Sequence, residues 1–222
     1  MIPSDGSLKG INFTMVNIKI NGIEYSVEEG TTILEACRQN GIKIPTLCWL
    51  KDINAIGACR ICVVEMTGAR SLVASCVYPL SKFDEGKNIM THSPAVLQSR
   101  KMTLQLLLSD HNMDCLACSR NGNCELQELC KELGVDDTTY FEGEKNEYDI
   151  DYSSKHMFRD NNKCIHCRRC IAACDKLQGI GVIGANNRGF KTSIDCAFDL
   201  DLAETACVSC GQCITACPTG AL

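Results

Sequence analysis

Four cysteines at Cys164, Cys167, Cys170 and Cys174 recur 43 residues later as Cys207, Cys210, Cys213 and Cys217, so C-x2-C-x2-C-x3-C is written twice. Ile171 and Ile214 keep the same offset, which marks an internal duplication, two halves around a shared interior. Pro218 follows the second copy and completes the run that holds [4Fe–4S] cubanes in bacterial ferredoxins; the first copy has Asp175 in that place. Three thiolates on one tight loop reach three corners of a cubane, while the fourth, opening the next element, points to the other cluster. Ligation is therefore expected to cross, with Cys164, Cys167, Cys170 and Cys217 around one [4Fe–4S] cluster and Cys174, Cys207, Cys210 and Cys213 around the other. Zinc is the competing reading. Its sites pair two C-x2-C knuckles about one tetrahedral ion, and three close cysteines with a donated fourth suit cubanes better.

Earlier in the chain Cys48, Cys59, Cys62 and Cys76 are separated by 10, 2 and 13 residues. This is not the plant ferredoxin spacing, but the order is alike: a loop after a helix offers three thiolates and a returning strand supplies the last, so a [2Fe–2S] cluster is expected. The small Gly57 and Ala58 would let backbone N–H groups approach its sulfurs. Between these regions lies His111-x3-Cys115-x2-Cys118-x5-Cys124, which on chemistry alone also describes a zinc site of three cysteines and one histidine. In a chain already carrying three clusters, a third [4Fe–4S] cluster with one imidazole ligand is the better reading. Cys37, Cys130 and Cys196 are left without a ligand role and read as small buried hydrophobes, the first two at apolar helix positions. His92, His156 and His166 have no partner spacing.

Eighteen cysteines in 222 residues means disulfides, zinc or iron–sulfur clusters before anything else. Residues 1–14 contain Asp5, Lys9 and Asn12 and no apolar core of a secretory signal, so disulfides are not expected and the protein reads as soluble and cytoplasmic. No run approaches the roughly 18 apolar residues of a membrane span. A net charge of −5 without a basic stripe excludes a nucleic-acid partner. Gly179, Gly181 and Gly184 spell G-x-G-x-x-G, but inside the cysteine repeat there is no preceding buried strand and no room for a βαβ unit. No P-loop, G-x-S-x-G or H-E-x-x-H motif occurs, so no complete catalytic site is expected. Without a flavin or nicotinamide site, electrons must enter and leave through partner proteins.

The elements that position these ligands can be read from periodicity. Met15 to Val27 alternates as two strands about Asn21-Gly22, a type I′ hairpin signal. Thr32 and Glu35 form a capping-box pattern opening a helix that Gly41 stops. Strands are expected at 61–66, 72–77 and 87–91, making a small mixed sheet with the helix across it. Helices are expected over 94–109, with Val96, Leu97, Leu104, Leu107 and Leu108 as the apolar face, and over 124–133. Seven acids between Gly134 and Ser154, against the single Lys145, read as an exposed linker. The fold class is thus α+β. It comprises an N-terminal extension (1–14), a β-grasp [2Fe–2S] ferredoxin-like domain (15–92), a short helical [4Fe–4S] domain with one histidine and three cysteine ligands (93–134), an acidic linker (135–155) and a bacterial 2[4Fe–4S] ferredoxin-like domain (156–222).

Five stretches, I-P-T-L-C-W-L (44–50), C-R-I-C-V-V-E (59–65), L-L-L-S-D-H (106–111), C-x2-C-x5-C-E-L-Q (115–127) and G-Q-C-I-T-A-C-P-T-G-A-L (211–222), resemble one family. It is the N-terminal electron-transfer region of the large subunit of NAD(P)-linked, multi-subunit [FeFe]-hydrogenases. The chain is similar also to the start of NAD-dependent formate dehydrogenases and to the cluster-rich G-type subunit of complex I. The resemblance supports a [4Fe–4S] cluster on His111, Cys115, Cys118 and Cys124 and carries the cluster types onto the other positions. It implies an electron-relay subunit or module of a soluble anaerobic redox complex of hydrogenase, formate dehydrogenase or transhydrogenase type. The partners it implies are a flavoprotein that oxidises NAD(P)H, a small [2Fe–2S] subunit, and ferredoxin or a catalytic subunit, sometimes with flavin-based electron bifurcation. In those hydrogenases a catalytic domain follows, whereas this sequence stops at Leu222, so the chain is expected to be either a stand-alone relay subunit or part of a truncated catalytic subunit. A zinc-bound scaffold without redox role is the remaining alternative.

Overall fold

Asn21 and Gly22, both left-handed at φ 52° and 87°, reverse the chain between β1 (Met15–Ile20) and β2 (Ile23–Glu28), which pair antiparallel from Met15↔Glu28 to Ile20↔Ile23. The computed structural model describes residues 14–136, 141 and 144–222; nearly all of the expected N-terminal extension and residues 137–140, 142 and 143 of the expected linker lie outside them. Val16, Ile18 and Ile20 alternate into the core, as period-two strands require. Next comes α1 (Ile33–Gln39), opened by the reciprocal Thr32–Glu35 capping box and burying Ile33, Leu34, Ala36 and Cys37 across the sheet. β3 (Val63–Met66), β4 (Val73–Ala74) and β5 (Asn88–Met90) complete a five-stranded sheet in the order β2-β1-β5-β3-β4, with β5 parallel to β1. β3 and β4 are shorter than expected, stopping short of Cys62 and Cys76, which therefore lie at the loop end of the sheet.

Ser93 caps α2 (Pro94–Ser109) by accepting from the Val96 N–H, and α3 (Glu125–Leu133) begins at Cys124 and ends on left-handed Gly134. The face α2 buries runs Val96, Arg100, Leu104, Leu108, so one member of the apolar stripe is an arginine. Leu104 and Leu108 meet Leu126 and Leu129 of α3 in a core that also takes in Leu47, Cys48, Cys59, Ile61, Ile165 and Cys167. Residues from all three cysteine-bearing regions therefore share one apolar interior.

The last region contains α4 (Arg169–Ala172), continued by a wider helical turn Ala173–Leu177, then the hairpin β6 (Ile183–Asn186) and β7 (Ser193–Cys196), and α5 (Gln212–Ala216). The G-x-G-x-x-G run follows that helical turn, with no strand before it, and leads into β6. Of the described acids in the stretch expected to be an exposed linker, Asp136, Glu144, Glu147 and Asp149 are exposed, and Asp151 departs from that pattern. Asp151, its side chain only 7% exposed, is paired at 3.2 Å with the buried Arg159, and Asn146 is tied to Asp110 and the Phe190 carbonyl. A buried guanidinium needs counter-charge, and Asp151 and Asp195 supply it, so these acids are packed rather than solvated. Among the described residues no helix is long and apolar enough to cross a membrane.

Candidate metal centres

Cys48, Cys59 and Cys62 sit on the loop between α1 and β3, and Cys76 follows β4; all four are buried. Cys48 lies near Cys59 and Cys76, and Cys62 near Cys76. Bonds from Cys59 and then Cys76 hold Cys48 far down as a thiolate, and a bond from Cys76 draws Cys62 down to about 6; donating raises Cys59 and Cys76 in turn. Four buried thiols gathered in this way suit thiophilic iron. Gly57 is left-handed, and a Cβ there would press on the Val77 side chain at 3.1 Å, so glycine lets the loop close without strain.

The duplicated cysteines lie on loops of matched backbone. His166 and Ser209, 43 positions apart, are left-handed at φ 51° and 54°, as are Arg168 and Gly211 at 59° and 75°. This conformation turns backbone N–H groups inward: His166 donates to Cys164 Sγ at 3.4 Å and Ser209 to Cys207 Sγ at 3.5 Å. One cavity is lined by Cys164, Cys167, Cys170 and Cys217, a second by Cys174, Cys207, Cys210 and Cys213, so the structure brings together the two crossed sets. Burial pushes Cys164 and Cys167 up to about 12 and Cys213 to about 11, so loading these sites means expelling protons. Cys210 is exposed, which leaves the second set at the surface.

His111 lies just past the end of α2, 7% exposed, with Nδ1 buried and without a hydrogen-bond partner. Burial, reinforced by Lys163 and Lys145 against Asp160, lowers its pKa to about 4 and keeps the ring neutral, with a lone pair free to bind a metal. Cys115 opens a short helical turn, Cys118 closes it, Cys124 precedes α3, and Cys124 lies within electrostatic reach of the other two. Lys163 lies within electrostatic reach of both His111 and Cys118, so the orphaned imidazole and the cysteine loop share one neighbourhood, with the donor types expected for this site. Among the described residues no group of three His, Cys, Asp or Glu side chains has the arrangement a single metal ion needs.

Several residues at these sites carry no spacing signal by which the sequence could announce them. The Asn54 amide donates to the carbonyls of Cys48 at 2.7 Å and Cys167 at 3.1 Å. Arg120 donates to the carbonyls of Ile214 and Cys217, while Pro218 O accepts from Glu125 N at 3.0 Å and from Cys124 Sγ at 3.6 Å. Gly220 leaves room for the Cys118 sulfur, which a Cβ there would strike. Arg169 forms a bidentate pair with Glu125 at 2.6 and 2.9 Å. Of the unassigned cysteines, Cys37 lies in the first core and Cys196 accepts from Arg159 Nη1 at 3.2 Å; burial pushes Cys37 and Cys130 up to about 11.

Fold and sites together define an iron–sulfur protein with a 2Fe-2S domain and 4Fe-4S domains in series. Family models match in that order: a 2Fe-2S iron-sulfur cluster binding domain over 14–93, an NADH-ubiquinone oxidoreductase-G iron-sulfur binding region over 100–139 and a 4Fe-4S dicluster domain over 163–221. The chain is homologous to the N-terminal iron–sulfur region of NADP-reducing hydrogenase and NADH-quinone oxidoreductase G or 75 kDa subunits. It is 44% identical over 214 residues to the NADP-reducing hydrogenase subunit HndD of Solidesulfovibrio fructosivorans, covering 94% of this chain and 36% of that one. With the NADPH-Fe(3+) oxidoreductase subunit alpha of Geobacter sulfurreducens it shares 36% identity over 211 residues, 94% of this chain and 24% of the relative. The chain thus spans about a third or less of the length of these curated relatives. A chain in the crystal structure of NAD+-reducing [NiFe]-hydrogenase in the H2-reduced state superposes with a TM-score of 0.84 at 28% identity, covering 93% of this chain and 86% of that one.

Proposed function

We propose that this chain is the electron relay of an NAD(P)-linked redox complex of hydrogenase or complex I type. Cys48, Cys59, Cys62 and Cys76 hold one [2Fe–2S] cluster, and three [4Fe–4S] clusters are held by His111 with Cys115, Cys118 and Cys124, by Cys164, Cys167, Cys170 and Cys217, and by Cys174, Cys207, Cys210 and Cys213. Each cluster, when bound, takes up and gives back one electron. The protein's part is to fix the spacing, exclude water and direct N–H groups at the sulfurs. The partners are a flavoprotein that handles NAD(P)H and, at the other end, ferredoxin or a catalytic subunit, in a cytoplasmic complex.

The observation that carries this reading is that the ligand loops touch. Asn54 joins the Cys48 loop to the Cys167 loop, and Pro218, next to Cys217, receives the Cys124 thiol. Cys170 of one crossed set lies within electrostatic reach of Cys213 of the other. The set around Cys164 therefore adjoins all three others, an arrangement suited to passing electrons through rather than to storing metal. Anaerobically prepared protein should be brown, contain iron and sulfide, and give paramagnetic signals of both cluster types after dithionite. NAD(P)H should reduce it only in the presence of a flavoprotein partner. Colourless, zinc-containing material with no such signals would refute the proposal.

A further inference from the structure

An arginine in the middle of a buried apolar stripe is unfavourable unless partners offset the loss of its hydration. Arg100 holds that position on α2, between Val96 and Leu104, and is 1% exposed. Its polar contacts fall short of that. Nη2 donates to the Val63 carbonyl at 2.8 Å, and Nε is buried with no partner. Among the described residues no carboxylate lies within ion-pair distance of it. That carbonyl belongs to the residue next in sequence to Cys62, and the carboxylate that bears on the guanidinium from further off, Glu132, is half-exposed and already held by Lys43 at 3.6 Å. A neutral donor would serve the Val63 carbonyl equally well. The guanidinium is thus held on the cysteine side of β3, beside the residue that follows Cys62.

Resting on the cluster assignment above, we propose that Arg100 is the fixed counter-charge of the [2Fe–2S] site and raises its reduction potential. Reduction adds one negative charge to a site already carrying four thiolates. A cation held in a water-free interior stabilises the reduced form more than the oxidised one, with little screening by salt. Arg100 touches a backbone carbonyl beside a ligand rather than the ligand sulfur, so it acts as a tuning and positioning residue, and its signature is a potential.

The test is an anaerobic EPR-monitored redox titration of the full chain carrying its clusters, wild type against Arg100→Gln and Arg100→Lys. Glutamine keeps a donor for Val63 without the charge; lysine keeps the charge. Arg100→Gln should weaken reduction of the [2Fe–2S] site at least tenfold, which is about 59 mV for a one-electron couple. Arg100→Lys should stay within half of that shift, and the [4Fe–4S] signals should not move in either variant. Loss of the [2Fe–2S] signal in the glutamine variant alone supports the same role through cluster retention. An unshifted midpoint in Arg100→Gln, or equal shifts or equal loss of signal in both variants, overturns the role of charge. Absence of a [2Fe–2S] signal from the wild type would overturn the cluster assignment as well, so the two failures are distinguishable.

Discussion

Asn54 is 3% exposed and directs both amide hydrogens at carbonyls that belong to different ligand loops, those of Cys48 and Cys167. Since both partners are acceptors, only the NH2 group can face them. Its own backbone is pinned by reciprocal N–H···O bonds with Leu50 at 2.8 and 2.9 Å, so the side chain cannot retreat. Asn54→Leu leaves two buried carbonyls unsatisfied, at about 2 kcal/mol each, and regains about 2 kcal/mol from the apolar side chain, for a net loss of about 2 kcal/mol. In a chain of this length that lowers the melting temperature by about 4–8 °C. Asn54→Asp, which keeps the shape and turns an oxygen toward two oxygens, should be worse than leucine. Thermal loss of visible cluster absorbance under argon reads the order, and the magnetic coupling between the [2Fe–2S] and neighbouring [4Fe–4S] signals reads the geometry. If both variants melt with the wild type, or aspartate proves milder than leucine, the bridge is not what joins the two loops.

Gly220→Ala should displace the Cys118 sulfur and remove or alter the signal of the cluster proposed on His111, Cys115, Cys118 and Cys124 alone, a loss of up to roughly four irons per chain by iron analysis. His111→Cys replaces a neutral ligand by an anionic one, and redox titration should find one [4Fe–4S] midpoint lowered with the cluster count unchanged. Cys37 is fully buried and its thiol is pushed up to about 11 from 9.0, so the fold favours the neutral form. The stability this gives is present below pH 9 and is lost as pH rises from 9 to 11, at most about 3 kcal/mol. Unfolding at pH 8 and pH 11 should differ more in the wild type than in Cys37→Ala.

The candidate ligands stand out in the sequence because cysteine spacing is local chemistry: a loop that presents three thiols must write them close together. The hairpin at Asn21-Gly22, the capping box at Thr32 and the span of α2 were legible for the same reason, each being settled by residues a few positions apart. What joins the sites was not. Asn54 reaches Cys167 across 113 positions and Arg120 reaches Cys217 across 97, with no periodicity or motif to announce either contact. Arg100 was hidden differently: an apolar stripe is recognised by its hydrophobes, and the charged member drops out of the pattern. Asp151 reads as solvated with its exposed neighbours because its partner, Arg159, is visible only once the chain has folded back.

On the proposed ligand sets, the loop around Cys164 is a hub with three spokes, and that has a bearing on failure. Damage to a spoke, such as oxidation of the exposed Cys210, removes one branch and leaves the others in communication. Damage to the hub would leave three electrical islands, each intact and none able to reach another. The burial of Cys167 and Cys170 thus acts as insulation, placed where a single break would do most harm.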